Sequence, residues 1–302
     1  MKKILITGAT GLIGTQLSQQ LEALGYSLKI VTRQISSAKK LNLKAQMIEW
    51  DLNLSELSSE HFQDVFCVIH LAGESIDGRW TAKKKQMILQ SREQSSKNIL
   101  AQLPKTVEKI FSVSGQGIYL DQGNQWLDEG AAEGQEFLAE VCKKWEAPFR
   151  QLMSQTSQQV AIFRLGLVVS KKGGALKKML PVFRNNLGAA LGNGTQWMSW
   201  IHLDDVCQLF IESLKSPGYR GIINATTENP VTNCEWTKTL CVTLDKLQLP
   251  AVPNFLLKTL FGEMAVILLS STRVQPKKLQ ELKFRYKFKD LQSALQKELQ
   301  ET

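Results

Sequence analysis

The opening residues constrain the fold more than any other stretch. Ile4, Leu5 and Ile6 form a short apolar run that reads as a buried strand. It stops at Thr7-Gly8-Ala9-Thr10-Gly11-Leu12-Ile13-Gly14, after which Leu12, Ile13, Leu17, Leu21 and Leu24 recur at helical spacing. The glycines therefore stand where a strand becomes a helix. Gly8 can take a backbone angle that other residues avoid. Gly11 has no side chain to hold a ligand off the backbone, and Gly14 lets the helix lie close to the strand. The helix N-terminus then offers unpaired amides and a positive dipole end to a diphosphate. With Thr10, Leu12 and Ile13, the turn is the predicted cradle of a dinucleotide.

A second strand is predicted over residues 28–32, and Arg33 follows at once. At this point NAD sites usually place a carboxylate for the ribose 2′-hydroxyl, and NADP sites a cation for the 2′-phosphate. No Asp or Glu occurs between Lys29 and Met47, while Lys39 and Lys40 are near. The arginine fork suits a phosphate, so NADP(H) is the expected cofactor; an arginine merely exposed after a strand is the alternative.

Further strands are predicted at 46–49, 65–71, 108–114, 159–165 (running on towards Val169) and 221–225, with helices at 81–103, 133–156, 175–186 and 203–214. Strand–helix alternation over most of two hundred residues implies an α/β, Rossmann-type, doubly wound parallel sheet. Composition changes after Ser170. The expected division is a dinucleotide-binding domain over 1–170, to which 195–230 return, and a smaller C-terminal substrate lobe from 171–194 and 231–302. The apolar stretch 252–269 carries Lys258 and Glu263, which favours packing on the core or on a partner over a membrane.

No run reaches the eighteen or so apolar residues of a membrane span, and the chain enters its first strand with no room for a signal peptide. The five cysteines form no Cys-x-x-Cys pair and read as reduced thiols of a cytoplasmic protein. The three histidines are scattered, and no metal site is expected. The 37 basic and 28 acidic residues give a net charge of +9, but the basic residues are dispersed and belong to no nucleic-acid module. A small anionic ligand fits this balance better than nucleic acid. A monomer or homodimer is expected.

Taken together, these residues resemble the extended short-chain dehydrogenases. More closely, they are similar to the atypical NADP-binding "epimerase family" branch that ends in a small domain of unknown role. The resemblance covers nearly the whole chain. It includes Leu71-Ala72-Gly73-Glu74, Gly78-Arg79-Trp80 and Ser91-Arg92, then 137–142 with Trp145-Glu146. It continues through Gly173-Gly174-Ala175-Leu176, 196–202 with Asp204-Asp205, and Asn224-Ala225-Thr226. In the tail it includes Gly262-Glu263-Met264 and Arg273-Val274 with 276–279. The resemblance implies NADP(H) binding, with Asp51 and Leu52 near the adenine and Leu71, Ala72 and Gly73 along the cofactor. Glu74 and Arg92 are assigned to the same ligand. It implies no substrate.

Ordinary members of that superfamily carry Tyr-x-x-x-Lys on the helix after the fifth strand. The lysine pulls the phenol towards neutrality so that it can act as a base. Here, alignment on Glu146 puts Leu138 and Cys142 at those positions, and none of the four tyrosines lies in that helix. Leucine has no proton to exchange. Cys142 reads as a buried structural cysteine or, less simply, a nucleophile. Ser114 stands close to the usual serine position. The remaining catalytic candidates are Tyr119, in the loop after the fifth strand, Glu74, and His202, which is either a proton donor or a tie between its loop and the strand below. Arg92, Arg164 and Lys178 are candidates for holding an anionic substrate. Trp80, Trp197 and Trp200 either line an aromatic pocket or pack the lobe. Two functions follow: an NADP-dependent oxidoreductase or epimerase-like enzyme with a rearranged acid/base set, or an NADP(H)-binding redox sensor without turnover.

Overall fold

A computed structural model describes residues 2–300. Its central sheet has seven strands: β1 (Lys3–Thr7), β2 (Ser27–Thr32), β3 (Gln46–Glu49), β4 (Val65–His70), β5 (Lys109–Gly115), β6 (Gln159–Leu165) and β7 (Gly221–Ala225). All pair in parallel, in the order β3-β2-β1-β4-β5-β6-β7. This is the expected Rossmann-type arrangement. The strand order runs outward from β1 in both directions, so connections leaving β1 and β4 diverge and a crevice opens at their carboxyl ends.

The strands are apolar on both faces because both faces are covered. Ile4 and Ile6 pack in one cluster and Leu5 in another; Phe111 and Val113 oppose Ile110, and Ala161 and Phe163 oppose Val160 and Ile162. This is the two-residue period of a strand set between two walls. The longer helices are α1 (Leu12–Ala23), α2 (Ala82–Leu100), α3 (Phe137–Gln155), α4 (Gly174–Arg184), α5 (Leu203–Lys215), α6 (Asn233–Thr243), α7 (Asn254–Phe261) and α8 (Leu291–Leu299). Leu17 and Leu21 of α1 join Val206, Leu209 and Phe210 of α5 on one face. Ile99 of α2 and Phe149 of α3 cover the other. Each fully buried leucine contributes roughly 1.5–3 kcal/mol.

A third cluster joins Leu176, Leu180 and Phe183 of α4, Trp236 and Leu240 of α6, and Leu291 and Leu295 of α8 around Trp200. The tail is not confined to it. Leu279, Phe284 and Tyr286 pack with α1 and α5, and the Tyr286 hydroxyl donates to the Thr226 carbonyl at 2.7 Å.

Several elements differ from the sequence reading. β6 stops at Leu165, and Leu167–Val169 is a separate strand paired with Trp200–His202. The break falls at Gly166, where a Cβ would lie 2.8 Å from the Ser199 carbonyl oxygen. α3 starts at Phe137 rather than near Glu133, whose carboxylate is engaged by Arg150 and Arg164. Short ladders join Trp126–Leu127 to Arg273–Val274, and Trp197–Met198 to Val231–Thr232. In the apolar stretch 252–269, Leu257 and Ala265 are buried, but Phe255 and Leu260 are 72% and 63% exposed, so it does not pack wholly on the core. No helix of the described residues is long and apolar enough to cross a membrane.

Candidate functional site

The crevice is lined by the chain as it leaves four strands: residues 7–11 after β1, 31–33 at the end of β2, 50–53 after β3 and 71–74 after β4. Ser91 and Ser95 of α2 complete it. Gly8 has φ +71°, and a Cβ there would lie 2.7 Å from the Leu71 backbone. At Gly14 a Cβ would meet the Gly8 carbonyl oxygen at 2.3 Å, so α1 sits directly on the turn. The Gly11 amide donates to the Gly8 carbonyl at 3.0 Å and closes the turn. Gly11 is also the N-cap of α1 and supplies no side-chain cap; the amides of Leu12 and Ile13 find no acceptor among the described residues. Free amides at a helix N-terminus are donors that a phosphate can use.

Directly after β2, Arg33 lines the crevice; it is exposed, and its guanidinium has no partner among the described residues. Asp51 Oδ1 accepts from the Asn53 amide and from Asn53 Nδ2, both at 2.9 Å, which fixes the loop after β3. Trp50 adds a flat indole to the wall.

Behind the lining, His70 braces two of its residues, Thr7 and Ser95. Its Nδ1 lies 2.8 Å from Thr7 Oγ1 and its Nε2 3.2 Å from Ser95 Oγ. Thr7 Oγ1 also accepts from the Ala72 amide at 3.3 Å. The ring is completely buried, and burial pushes its pKa down to about 3. A neutral imidazole thus ties the ends of β1 and β4 to α2. Beside it, Glu74 pairs with Lys84 at 2.8 Å, and its amide donates to Ser91 Oγ at 3.1 Å. The Arg92 guanidinium stacks 4.7 Å from the Trp145 ring centre and lies against Gly73, where a Cβ would be 3.5 Å from Arg92 Cζ.

Beyond the crevice the structure gives other work to most of the expected substrate-side residues. Tyr119 is 1% exposed; its hydroxyl donates to Asn224 Oδ1 at 2.7 Å and accepts from Arg164 Nη1 at 2.8 Å. Burial pushes this phenol up to about 12, opposite to the lowering that a base near neutrality needs. Arg164 is equally buried, with Nε and Nη2 each 2.9 Å from a Glu146 oxygen and Nη2 3.1 Å from Glu133. Its guanidinium is thus engaged by buried Glu146 and half-buried Glu133. Trp200 is a core residue of the third cluster and donates to the Asn229 carbonyl at 3.0 Å. Trp80 is buried edge-on to Phe137 and donates to the Ile76 carbonyl at 2.9 Å. Exposed Lys178 is paired with Asp77. His202 Nδ1 accepts from the Asp204 amide at 3.1 Å and caps α5, while Nε2 lies 3.0 Å from Glu298 Oε1. It holds the last helix rather than reaching the crevice.

Where the family's lysine would stand, the Cys142 thiol faces the Gly115 carbonyl at 3.6 Å, and burial pushes it up to about 11, a neutral structural thiol. Ser114 nearby is buried, and its Oγ meets no partner at hydrogen-bond geometry among the described residues. Sequence reasoning passed over Thr7, Val31, Thr32, Trp50, Asn53, Ser91 and Ser95 as lining residues. Ser91 and Ser95 had a readable signal: they lie four residues apart, on one face of a helix.

Residues 4–225 match the NAD dependent epimerase/dehydratase family, and residues 252–298 match a domain of unknown function, DUF1731. The chain belongs to the NAD dependent epimerase/dehydratase family. One relative within it is the chloroplastic SDR39U1 homolog of Arabidopsis thaliana, an epimerase family protein 34% identical over 97% of this chain and 85% of its own length. An epimerase family protein of Staphylococcus aureus is 31% identical, with 98% of each chain covered. Among solved structures, human epimerase family protein SDR39U1 with NADPH superposes with a TM-score of 0.85 at 28% identity, covering 98% of both chains. The UDP-glucuronic acid 4-epimerase of Bacillus cereus in complex with NAD gives 0.76 at 19% identity, covering 97% and 96%, and bears on the fold alone.

Proposed function

We propose that this extended short-chain dehydrogenase binds NADP(H) in the crevice and works as an oxidoreductase or epimerase-like enzyme on a small anionic substrate. The observation that carries the reading is that two features line one crevice: Gly11, the N-cap after which the amides of α1 start uncapped, and unpartnered Arg33 at the end of β2. The first suits a diphosphate and the second a 2′-phosphate. The solved human relative with NADPH supports the choice. In this reading residues 8–14 hold the diphosphate, Asp51 and Leu52 flank the adenine, and residues 71–74 with Arg92 run along the cofactor. Residues 1–170 with 195–230 form the dinucleotide-binding part, and 171–194 with 231–302 the substrate side.

Bound NADP(H) would supply hydride exchange with a substrate carbon. The protein must supply position and a proton. Of the expected acid/base groups, Glu74 is the one that lines the crevice, where it is paired with Lys84. A second reading, a redox sensor that binds NADP(H) without turnover, is favoured by the burial of Tyr119 together with Leu138 and Cys142 at the usual Tyr and Lys positions. Incubating NADPH-loaded protein with a panel of carbonyl compounds and following loss of NADPH absorbance separates the two. Turnover that Glu74→Gln abolishes supports the enzyme. Tight NADPH binding with no turnover on any compound supports the sensor.

A further inference from the structure

Arg273 stands opposite Trp126 in the short parallel ladder, and the bridge between Met198 and Thr272 brings Trp197 beside it. Its Cζ lies 4.1 Å from the Trp126 ring centre and 3.9 Å from that of Trp197. Two indoles therefore flank one guanidinium. The surroundings hold them in place: Trp197 Nε1 donates to Asn124 Oδ1 at 2.7 Å, and Ser271 Oγ donates to the Gly123 carbonyl at 2.7 Å. The cation is nonetheless unfinished. Arg273 Nε is buried with no acceptor, and the side chain has no carboxylate partner among the described residues. Contrast Arg164, which is buried with two glutamates around it. Attraction to the ring faces leaves the N–H donors unspent.

We infer that Arg273, flanked by Trp126 and Trp197, is a receptor for the oxyanion end of a ligand, a carboxylate or a phosphate. The indoles restrict the guanidinium before any ligand arrives, and a bidentate oxyanion supplies the acceptors the protein withholds. The loop leaving β5 brings Trp126 and the segment following β6 brings Trp197, so the receptor is built from connections at the carboxyl side of the sheet, where ligands of such folds bind. A net charge of +9 favours an anion. The receptor shares no residue with the dinucleotide crevice and stands whether or not the crevice takes NADP(H).

The test titrates inorganic phosphate, and separately malonate, into the full-length protein at constant ionic strength with chloride as the control. Tryptophan fluorescence is the readout because two indoles flank the cation. The wild type shows a saturable change with at least one of the two anions. Phosphate alone saturating identifies a phosphoryl ligand, and malonate alone a carboxylate. Arg273→Gln, with an unchanged circular dichroism spectrum, binds about tenfold more weakly or not at all. Arg273→Lys keeps the charge and loses the fork; it binds several-fold more weakly and carries the test if the glutamine variant does not fold. NADPH titration of the same variants reports on the crevice separately. No saturable change in the wild type, or the same curve in Arg273→Gln, would leave Arg273 a packing residue and overturn the inference.

Discussion

Lowering the pH from 7 to 5 should destabilise this chain through one buried ring. His70 is enclosed between Thr7 and Ser95, and burial takes its pKa from the usual 6.5 to about 3. The folded protein therefore keeps the ring neutral, while the unfolded chain gains a proton there below pH 6.5. Because the folded value is the depressed one, the stabilisation is fully present above 6.5 and is lost as the pH falls towards about 3. One pKa unit corresponds to about 1.4 kcal/mol, and integrating the proton uptake gives a loss of about 2 kcal/mol between pH 7 and 5. Carboxylates held below their usual range, such as Glu133 and Glu298, titrate in a more acid window. Urea denaturation followed by circular dichroism across this range, on wild type and on His70→Asn, measures the effect. Asparagine keeps a donor and an acceptor for Thr7 and Ser95, and His61 and His202 remain in both proteins, so the difference in slope belongs to His70. Equal slopes would refute the argument. Because His70 braces the crevice, the variant should also bind NADPH more weakly.

Two glycines of the opening turn should separate folding from binding. Gly14→Ala places a methyl 2.3 Å from the Gly8 oxygen and should cost about 1–3 kcal/mol in urea denaturation. Gly11 has extended backbone and only the Gly8 oxygen, at 3.3 Å, near its missing Cβ; Gly11→Val should keep the circular dichroism spectrum and abolish NADPH binding. Glu146→Ala leaves Arg164 buried beside Glu133 alone and should destabilise the fold by about 3–5 kcal/mol in the same denaturation assay.

The sheet was legible because each strand carries a compact apolar run between two turn signals. β3 and β7 fall where the sequence places them, and Gly8 and Gly14 take the geometry inferred for them. The two-residue ladders were not legible. Trp126 and Arg273 meet across 147 positions of chain, and neither segment is long enough to show a period. The substrate side suffered in the same way. Tyr119 was placed near the chemistry because it follows β5, but its partners Arg164 and Asn224 lie 45 and 105 positions on, and they close it into the core. The sequence leaves Trp200 open between pocket wall and lobe packing and His202 open between proton donor and structural tie; contacts from α4, α6 and α8 put Trp200 in the third cluster, and His202 caps a helix. Local pattern identifies an element; only tertiary contact decides whether its polar groups are spent.

The central claim, that this crevice holds NADP(H) through Arg33, is tested most directly by fluorescence titration of wild type and Arg33→Ala with NADPH and with NADH. The account predicts that wild type prefers NADPH by about tenfold or more, and that the substitution removes most of the preference while leaving NADH affinity nearly unchanged. Identical titration curves for the two cofactors in the wild type would contradict it.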